Sequence, residues 1–470
     1  MSTYTSAPKD TEFAKRLTDD VWHDIFVLAS RDDSWYHSPS FQDHRVASPL
    51  LVSNIVTPWH IAGTSRHWRD IALNAPCMWS NIRVPSLESH QSGLQSWAGR
   101  AATLLTWLET SLARSANAPL VIDLSSTRRD DLRHGFQLEV VSLVVKHLHR
   151  VQVLVALVGD DAAGALASAP DYGMMVTCKV HRLAIPSIHS TSDCTPSGWP
   201  LGINFASSLL TKSVGLHDLQ LQSSCMESIA TLEPVLANLS RLSLQVDNEL
   251  PVDPSNLVTL FRIIAESRIE QLSLHIDTPG PLGVTLPVPE TSTIELPSLT
   301  LLCLAGRTVS ILNRAFISLH APNLSTLFIS GPSPFLLPLR GSFPDLKTVE
   351  LADLHLYDGE DAVTFCRSLG SAVSTVRFAN CQFGSRLPQM LARRGDCVGR
   401  DEWTLWPQLR EIRFGPRLDF LWQLEGHPIH DLVALRCIPP TEDAWRVEDV
   451  EKMVNRLVGS RQDDIVLRCR

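Results

Sequence analysis

The fold is decided by Leu239-Ser240-Arg241-Leu242-Ser243-Leu244, a six-residue stretch with apolar residues at positions one, four and six. Copies of this pattern recur along the chain at intervals of 22 to 36 residues. Their first positions are Leu148, Val180, Leu216, Leu239, Ile269, Leu299, Leu324, Leu346, Val373 and Leu409. One copy is what any buried strand can produce, but this series indicates similar units that each contain a short strand.

The segments between the copies have helical periodicity. Leu260, Phe261 and Ile264 recur at this spacing after Ser255, and the segment 361–369 repeats the pattern. Alternating strands and helices predict an α/β fold with a parallel sheet along an inner curve and helices on the convex side.

The repeat lengths resemble those of leucine-rich repeats. That family commonly has asparagine at the ninth position, where it forms a hydrogen-bond ladder between turns. Here Cys381 fits the asparagine-or-cysteine alternative, whereas Pro332, Leu354 and Arg417 occupy the position in other copies. The resemblance implies a divergent leucine-rich-repeat-like solenoid over residues 148–470, with turns that lack a regular ladder.

Strand alternation predicts a surface for recognition. If positions one, four and six face inward, positions three, five and seven project onto the open concave face. The candidate target-binding residues there are Arg241, Gln245, Gln271, His275, Phe328, Glu350, Arg377 and Arg413. This mixed, polar surface fits a folded protein or a peptide better than a phosphate backbone, and the alternative is an ordinary solvated sheet face.

Two amphipathic helices are predicted near the N-terminus. Thr57 suits a helix cap and Pro58 the first helical position, and the helix continues through Trp68 until Pro76 ends it. Upstream, Thr18 is the expected cap of a second helix. That helix has Asp19 and Asp20 in its first turn and an apolar stripe formed by Val21, Trp22, Ile25, Phe26 and Leu28.

The order of these segments, followed by Pro76 and Trp79, resembles the F-box of a large fungal, basidiomycete-type family. Two positions depart from that family, since Leu17-Thr18 replaces its usual Leu-Pro and Gly63-Thr64 its frequent Val-Cys. The spacer 31–47 is also longer than usual. The resemblance implies four regions, namely a flexible N-terminus 1–12, a three-helix F-box 13–84, a helical connector with a first strand 85–147, and the repeat domain 148–470.

By this resemblance the chain is expected to be the substrate-recognition subunit of an SCF-type (Skp, cullin, F-box) ubiquitin ligase. The F-box core and adaptor surface would comprise Leu17, Val21, Trp22, Ile25, Phe26, Trp68 and Ile71. The expected partners are a Skp-type adaptor, a cullin bound through it, and a target protein. The alternatives are a non-ligase interaction scaffold and, less favoured, an enzyme with a strongly divergent site.

The composition is that of an ordered soluble protein and argues against a mainly disordered chain. A hydrophobic fraction of 44%, a charged fraction of 19% and a net charge of -9 favour an ordered soluble chain, and no long basic tract indicates a nucleic-acid partner. Residues 1–15 lack the apolar segment of a secretory signal, and 140–158 is too short and too charged to span a membrane. We therefore expect cytoplasmic or nuclear residence and reduced cysteines.

Motifs of common enzymes are missing from the sequence. It contains no Gly-rich phosphate loop, no Gly-x-Ser-x-Gly and no His-Glu-x-x-His, so neither catalytic residues nor a cofactor are expected. His427 and His430 lie three residues apart beside Asp431, but Pro428 and the lack of a partner cluster favour a loop without metal. Cys366 and Cys381 are interpreted as small buried residues.

Overall fold

The computed structural model describes residues 18–30, 58–84, 97–124, 136–155, 182–185, 217–223, 236–247, 254–277, 292–314, 317–331, 339–356, 360–379, 381–383, 405–414, 419–420 and 465–468. These residues form a mixed α/β structure with mostly parallel sheets. The chain divides into two compact units, one of residues 1–193 and 204–216 and one of residues 194–203 and 217–470. Leu17, Thr57, His427 and His430 lie outside the described residues.

The first unit combines short helices with parallel strands. Its helices are α1 (Asp19–Ser30), α2 (Pro58–Thr64), α3 (Arg66–Leu73), α4 (Trp97–Arg114) and α5 (Phe136–Val145), with 3-10 turns at Pro76–Trp79 and Leu148–Arg150. Its strands are β1 (Asn81–Arg83), β2 (Leu120–Asp123), β3 (Val151–Val155) and β4 (Arg182–Ile185). They pair in this order, each parallel to its neighbour.

The helices α1 to α3 and the turn Pro76–Trp79, together called the three-helix group, share one core. Its buried members are Phe26, Ile61, Ala62, Ile71, Ala72, Ala75, Met78 and Trp79. Trp79 is 1% exposed, and its indole N-H donates to the Ala72 carbonyl at 2.7 Å. Burial of the ring therefore leaves its polar atom with a hydrogen-bond partner.

The structure corrects the prediction of one continuous helix from Pro58 to Pro76. Pro58 does begin a helix, but α2 ends at Thr64 and α3 begins at Arg66. Between them Ser65 adopts an extended conformation, and its hydroxyl accepts a hydrogen bond from the Trp68 amide at 3.1 Å. A serine cap satisfies an amide at the start of α3, so two helices replace one.

The second unit contains the main series of strands. Its long-sheet strands are β5 (Asp218–Ser223), β6 (Arg241–Asp247), β7 (Gln271–Asp277), β9 (Leu301–Gly306), β11 (Thr326–Ser330), β13 (Thr348–Ala352), β15 (Thr375–Ala379), β17 (Glu411–Phe414) and β19 (Ile465–Arg468). They pair in this order, parallel except for β19, which is antiparallel to β17. Within the described part of this unit, three helices accompany them, α6 (Pro254–Glu266), α7 (Thr308–Arg314) and α8 (Glu360–Ser368).

The register confirms the strands and the inward positions of the six-residue pattern from β6 to β17. Position four is aligned from β6 to β17 by Leu242, Leu272, Leu302, Leu327, Val349, Val376 and Ile412. Each of these side chains is at most 1% exposed. The apolar pattern therefore marks one continuous buried row, and α6 and α8 confirm the helical periodicity predicted between the strands.

The copy predicted from Leu148 is wrong in its register, because Leu154 on β3 pairs with Leu183, position four of the next copy. Leu154 is buried, whereas Leu148 and Val153 are half-buried.

A hydrogen-bond ladder runs through position two of the pattern. The Thr300 carbonyl, for example, accepts from the Ser325 and Thr326 amides at 2.9 and 3.1 Å and from the Ser325 hydroxyl at 3.1 Å. In the same way, two consecutive amides of the next repeat donate to each of the carbonyls of His217, Ser240, Glu270, Ser325, Lys347 and Ser374. This ladder satisfies backbone groups at the start of each strand, so the stack does not depend on asparagine at position nine.

A tight turn precedes β9, β11, β13 and β17, and the sequence patterns above do not include it. Its members are 296–299, 321–324, 343–346 and 406–409, each an apolar residue, a proline, a variable residue and leucine. In each, the leucine amide donates to the first carbonyl. The first three turns follow β8 (Ser292–Glu295), β10 (Ile317–His320) and β12 (Gly341–Ser342), which form a small parallel sheet. A second small sheet joins β14 (His355–Leu356), β16 (Gln382–Phe383) and β18 (Asp419–Phe420).

Candidate functional site

Helix α1 presents different residues to the core and to solvent. The Trp22 and Phe26 rings lie 5.3 Å apart, and each lies 5.0 Å from the Trp68 ring. Val21 and Ile25, one position before each of these aromatics, are 41% and 40% exposed. Because residues four apart share a helix face, Val21 and Ile25 form an exposed apolar pair beside the aromatic cluster.

The structure thus sorts the seven predicted adaptor-binding residues by accessibility. Phe26 and Ile71 are buried, and Trp22 and Trp68 are half-buried. Leu17 lies outside the described residues. Large aromatic contacts hold α1 on α3, and Val21 and Ile25 are the accessible members of the set within the described chain.

Arg114 fixes the end of α4 against the three-helix group, a role that the sequence analysis missed. Its guanidinium carbon lies 4.6 Å from the Trp59 ring centre and 4.5 Å from the Trp79 ring centre. The two rings are perpendicular and 5.1 Å apart. A guanidinium over the face of an indole ring is favourable. The sequence signal for this contact is a basic residue in the last turn of α4.

Arg150 supports the same helix end from a buried position. It is 7% exposed, and its guanidinium donates to the Leu112 carbonyl at 2.7 Å and to the Ser115 hydroxyl at 2.8 Å. Burial lowers the pKa of the guanidinium from its ordinary value. A cation at the C-terminus of α4 satisfies carbonyls that the helix itself leaves without donors.

The second candidate surface is a row of position-five residues on the long sheet. Phe328, Glu350, Arg377 and Arg413 are adjacent in register on β11, β13, β15 and β17. The Arg377 guanidinium donates to Glu350 at 2.6 Å, and Arg413 pairs with Glu411 on its own strand. Beside this row lie the half-buried threonines at position three, Thr326, Thr348 and Thr375. The patch offers one aromatic ring, paired charges and hydroxyls.

Two of the predicted target-binding residues are not accessible, which corrects that part of the expected surface. Gln245 and His275 are 7% and 8% exposed, whereas Arg241 is exposed and Gln271 half-buried. Both residues occupy position seven of the pattern, and the residues at this position on the next strands, Ala305, Ser330 and Ala352, are buried as well. His275 also lies against Gly306, where an added Cβ would meet its ring at 3.4 Å.

Three of the described cysteines are buried, which limits the chemistry that their thiols can perform. Burial raises the pKa of Cys303 to about 11 and that of Cys381 to about 12, and it raises the Cys366 pKa further. The prediction that Cys366 and Cys381 are buried is confirmed, although Cys381 also donates to the Leu351 carbonyl at 3.2 Å. Within the described ranges, no group of three or more His, Cys, Asp and Glu residues is placed to hold a metal ion.

Comparisons with known proteins do not assign the chain to a family. No family model matches it, and no curated protein matches it significantly. Among the helices of the described ranges, none has the length and apolar character required to cross a membrane.

Proposed function

We propose that this chain is an F-box substrate-recognition subunit of an SCF-type ubiquitin ligase. The observation that carries the proposal is the apolar pair Val21 and Ile25, 41% and 40% exposed on a helix whose neighbouring residues are held in an aromatic core. Two exposed apolar residues of one helix can enter a groove of a partner protein, and here the partner is a Skp-type adaptor. The adaptor would connect the chain to a cullin.

The second unit supplies the target surface in this proposal. Its strands follow one another in chain order with their position-four residues in register, which supports a divergent leucine-rich-repeat solenoid. Phe328 offers an aromatic anchor, while the charges of Glu350 and Arg377 are paired with each other. Such a surface favours a protein or peptide target, and the ligation chemistry belongs to other subunits.

Co-purification with a Skp-type adaptor tests the adaptor half of the proposal. We expect the wild-type chain to bind and the double variant Val21→Glu, Ile25→Glu to lose binding at least about tenfold, because carboxylates replace apolar contact area. The matched control is Leu138→Glu, since Leu138 on α5 is 42% exposed and lies outside the three-helix group. Truncating Phe26 would be uninformative, since it is 4% exposed and belongs to the core.

The outcomes separate the ligase from the scaffold alternative. Binding by the wild type and by Leu138→Glu, with loss in the double variant, supports the adaptor surface. A folded wild-type chain that does not retain any adaptor would overturn the ligase proposal and leave an interaction scaffold as the better description.

A further inference from the structure

Cys77, in the turn Pro76–Trp79, lies against a histidine of α1. Its sulfur is 3.5 Å from Nε2 of His23, and Nδ1 of the same ring is 3.3 Å from the Asp24 carboxylate. A carboxylate accepts hydrogen bonds, so Asp24 favours the proton on Nδ1 and leaves the Nε2 lone pair toward the thiol. An imidazole oriented in this way by a third group is the arrangement that activates a cysteine nucleophile.

The other described cysteines have a different environment. Cys303, Cys366 and Cys381 are at most 4% exposed, and burial raises the pKa of each thiol. Cys77 is half-buried, and the adjacent His23 side chain is 40% exposed. Cys77 is therefore not enclosed in the core as the other three cysteines are, and reactive thiols occur in such partly exposed sites.

We propose that Cys77 and His23 form a nucleophilic thiol site for soft carbon electrophiles of the α,β-unsaturated carbonyl class. Nε2 of His23 takes the thiol proton while the sulfur attacks the β-carbon. A sulfur–carbon bond forms, the carbon–carbon π bond breaks, and its electron pair moves onto the carbonyl oxygen as an enolate. The imidazolium then returns the proton to the α-carbon, so the addition consumes no oxidant or reductant.

The experiment measures alkylation of the full chain by N-ethylmaleimide at neutral pH, with the rate at each cysteine followed by peptide mass spectrometry. The same rates in the urea-unfolded chain provide the reference for every site. Cys77 is expected to react faster in the folded chain than in the unfolded chain. Cys303, Cys366 and Cys381 are expected to react more slowly when folded, because they are buried.

The variant His23→Gln removes the base and should slow folded-state labelling of Cys77 about tenfold or more. His67→Gln is the matched control, since His67 lies in the same three-helix group but pairs with Asp19 at 3.4 Å. It should leave the Cys77 rate unchanged.

If His23 had a purely structural role, His23→Gln would change the labelling rate of Cys77 in the opposite direction. Loosening of the three-helix group would expose Cys77 and raise its labelling rate in His23→Gln. An unchanged or raised rate in that variant, or slower labelling of Cys77 in the folded wild type than in urea, would overturn the proposal.

Discussion

At the scale of single residues, buried polar side chains of the first unit complete the ends of helices. Arg150 donates to the last turn of α4, and Trp79 donates to the carbonyl of Ala72 near the end of α3. Arg150 also contacts His147, whose Nδ1 lies 3.3 Å from the guanidinium. A neutral imidazole can accept this hydrogen bond, whereas a protonated ring would place two cations together.

His147 should make the stability of the first unit depend on pH. Burial lowers its pKa from 6.5 to about 4, and the charges of Arg150, His149 and Lys146 add to the effect. Between about pH 6.5 and pH 4 the unfolded chain therefore binds more protons than the folded chain. We expect the stabilisation to be complete above this window and to disappear as the pH falls through it, at a cost of about 1 kcal/mol after allowance for the half-exposed ring.

Urea unfolding of wild type and His147→Gln at pH 7 and pH 4.5 checks this expectation. The wild type should lose more stability than the variant on acidification. Equal losses in the two proteins would assign the pH dependence to other groups.

At the scale of elements, the strand ends stack so closely that two positions, 306 and 331, require glycine. Gly306 ends β9 with a φ of +67°, and Gly331 follows β11 with a φ of +138°. A Cβ added at Gly331 would lie 2.5 Å from the Gly306 carbonyl oxygen, and one added at Gly306 would lie 2.4 Å from the Ile276 oxygen. The backbones of β7, β9 and β11 are therefore in direct contact at the ends of these strands as well.

Gly331→Ala should destabilise the second unit by at least about 2 kcal/mol, because it combines a left-handed backbone with a backbone clash. Gly63→Ala is the matched control, since a Cβ there meets nothing within 4 Å and Gly63 lies in α2. That control should leave stability unchanged or raise it by up to about 1 kcal/mol. Calorimetric unfolding of both variants measures the difference, and equal melting of Gly331→Ala and wild type would contradict the stacking argument.

At the scale of the whole molecule, the two candidate surfaces belong to different compact units. The pair Val21 and Ile25 is in the first unit, and the patch around Phe328 and Arg413 is in the second. Each surface is supported by its own buried residues, the aromatic cluster in one case and the position-four row in the other. On the proposed function, adaptor binding and target binding should therefore be separable by mutation.

We expect Phe328→Ala with Arg413→Ala to weaken target binding at least about tenfold while adaptor binding stays at the wild-type level. Val21→Glu with Ile25→Glu should produce the reverse. Quantitative affinity purification of the adaptor and of co-purifying targets with both double variants measures the two activities in parallel. Loss of both activities in a variant that remains folded would contradict independent surfaces.

The sequence by itself determined where the strands of the long sheet from β5 to β17 lie and which residues form the position-four row of the core. It did not predict β19, and it placed position seven on the open face, where the structure buries it from β6 to β13. The apolar residues at positions one, four and six are all buried only if every copy turns the same face toward the core. The pattern therefore predicts which residues are buried and how neighbouring strands are aligned. It also placed the start of α1 at Asp19, because a capping position and two early carboxylates precede the apolar stripe.

Only the tertiary structure decided which members of a pattern are available for binding. Val21 and Trp22 are both apolar, and periodicity does not tell which of them packs on Trp68 and which faces solvent. Gln245 and His275 lie opposite each other on β6 and β7, and the His275 ring lies near Gly306 of β9, so residues far apart in sequence surround them. Cys77 meets His23 across 54 positions for the same reason. Accessibility and side-chain encounters depend on the packing of separate elements, and the local pattern of one segment does not contain that information.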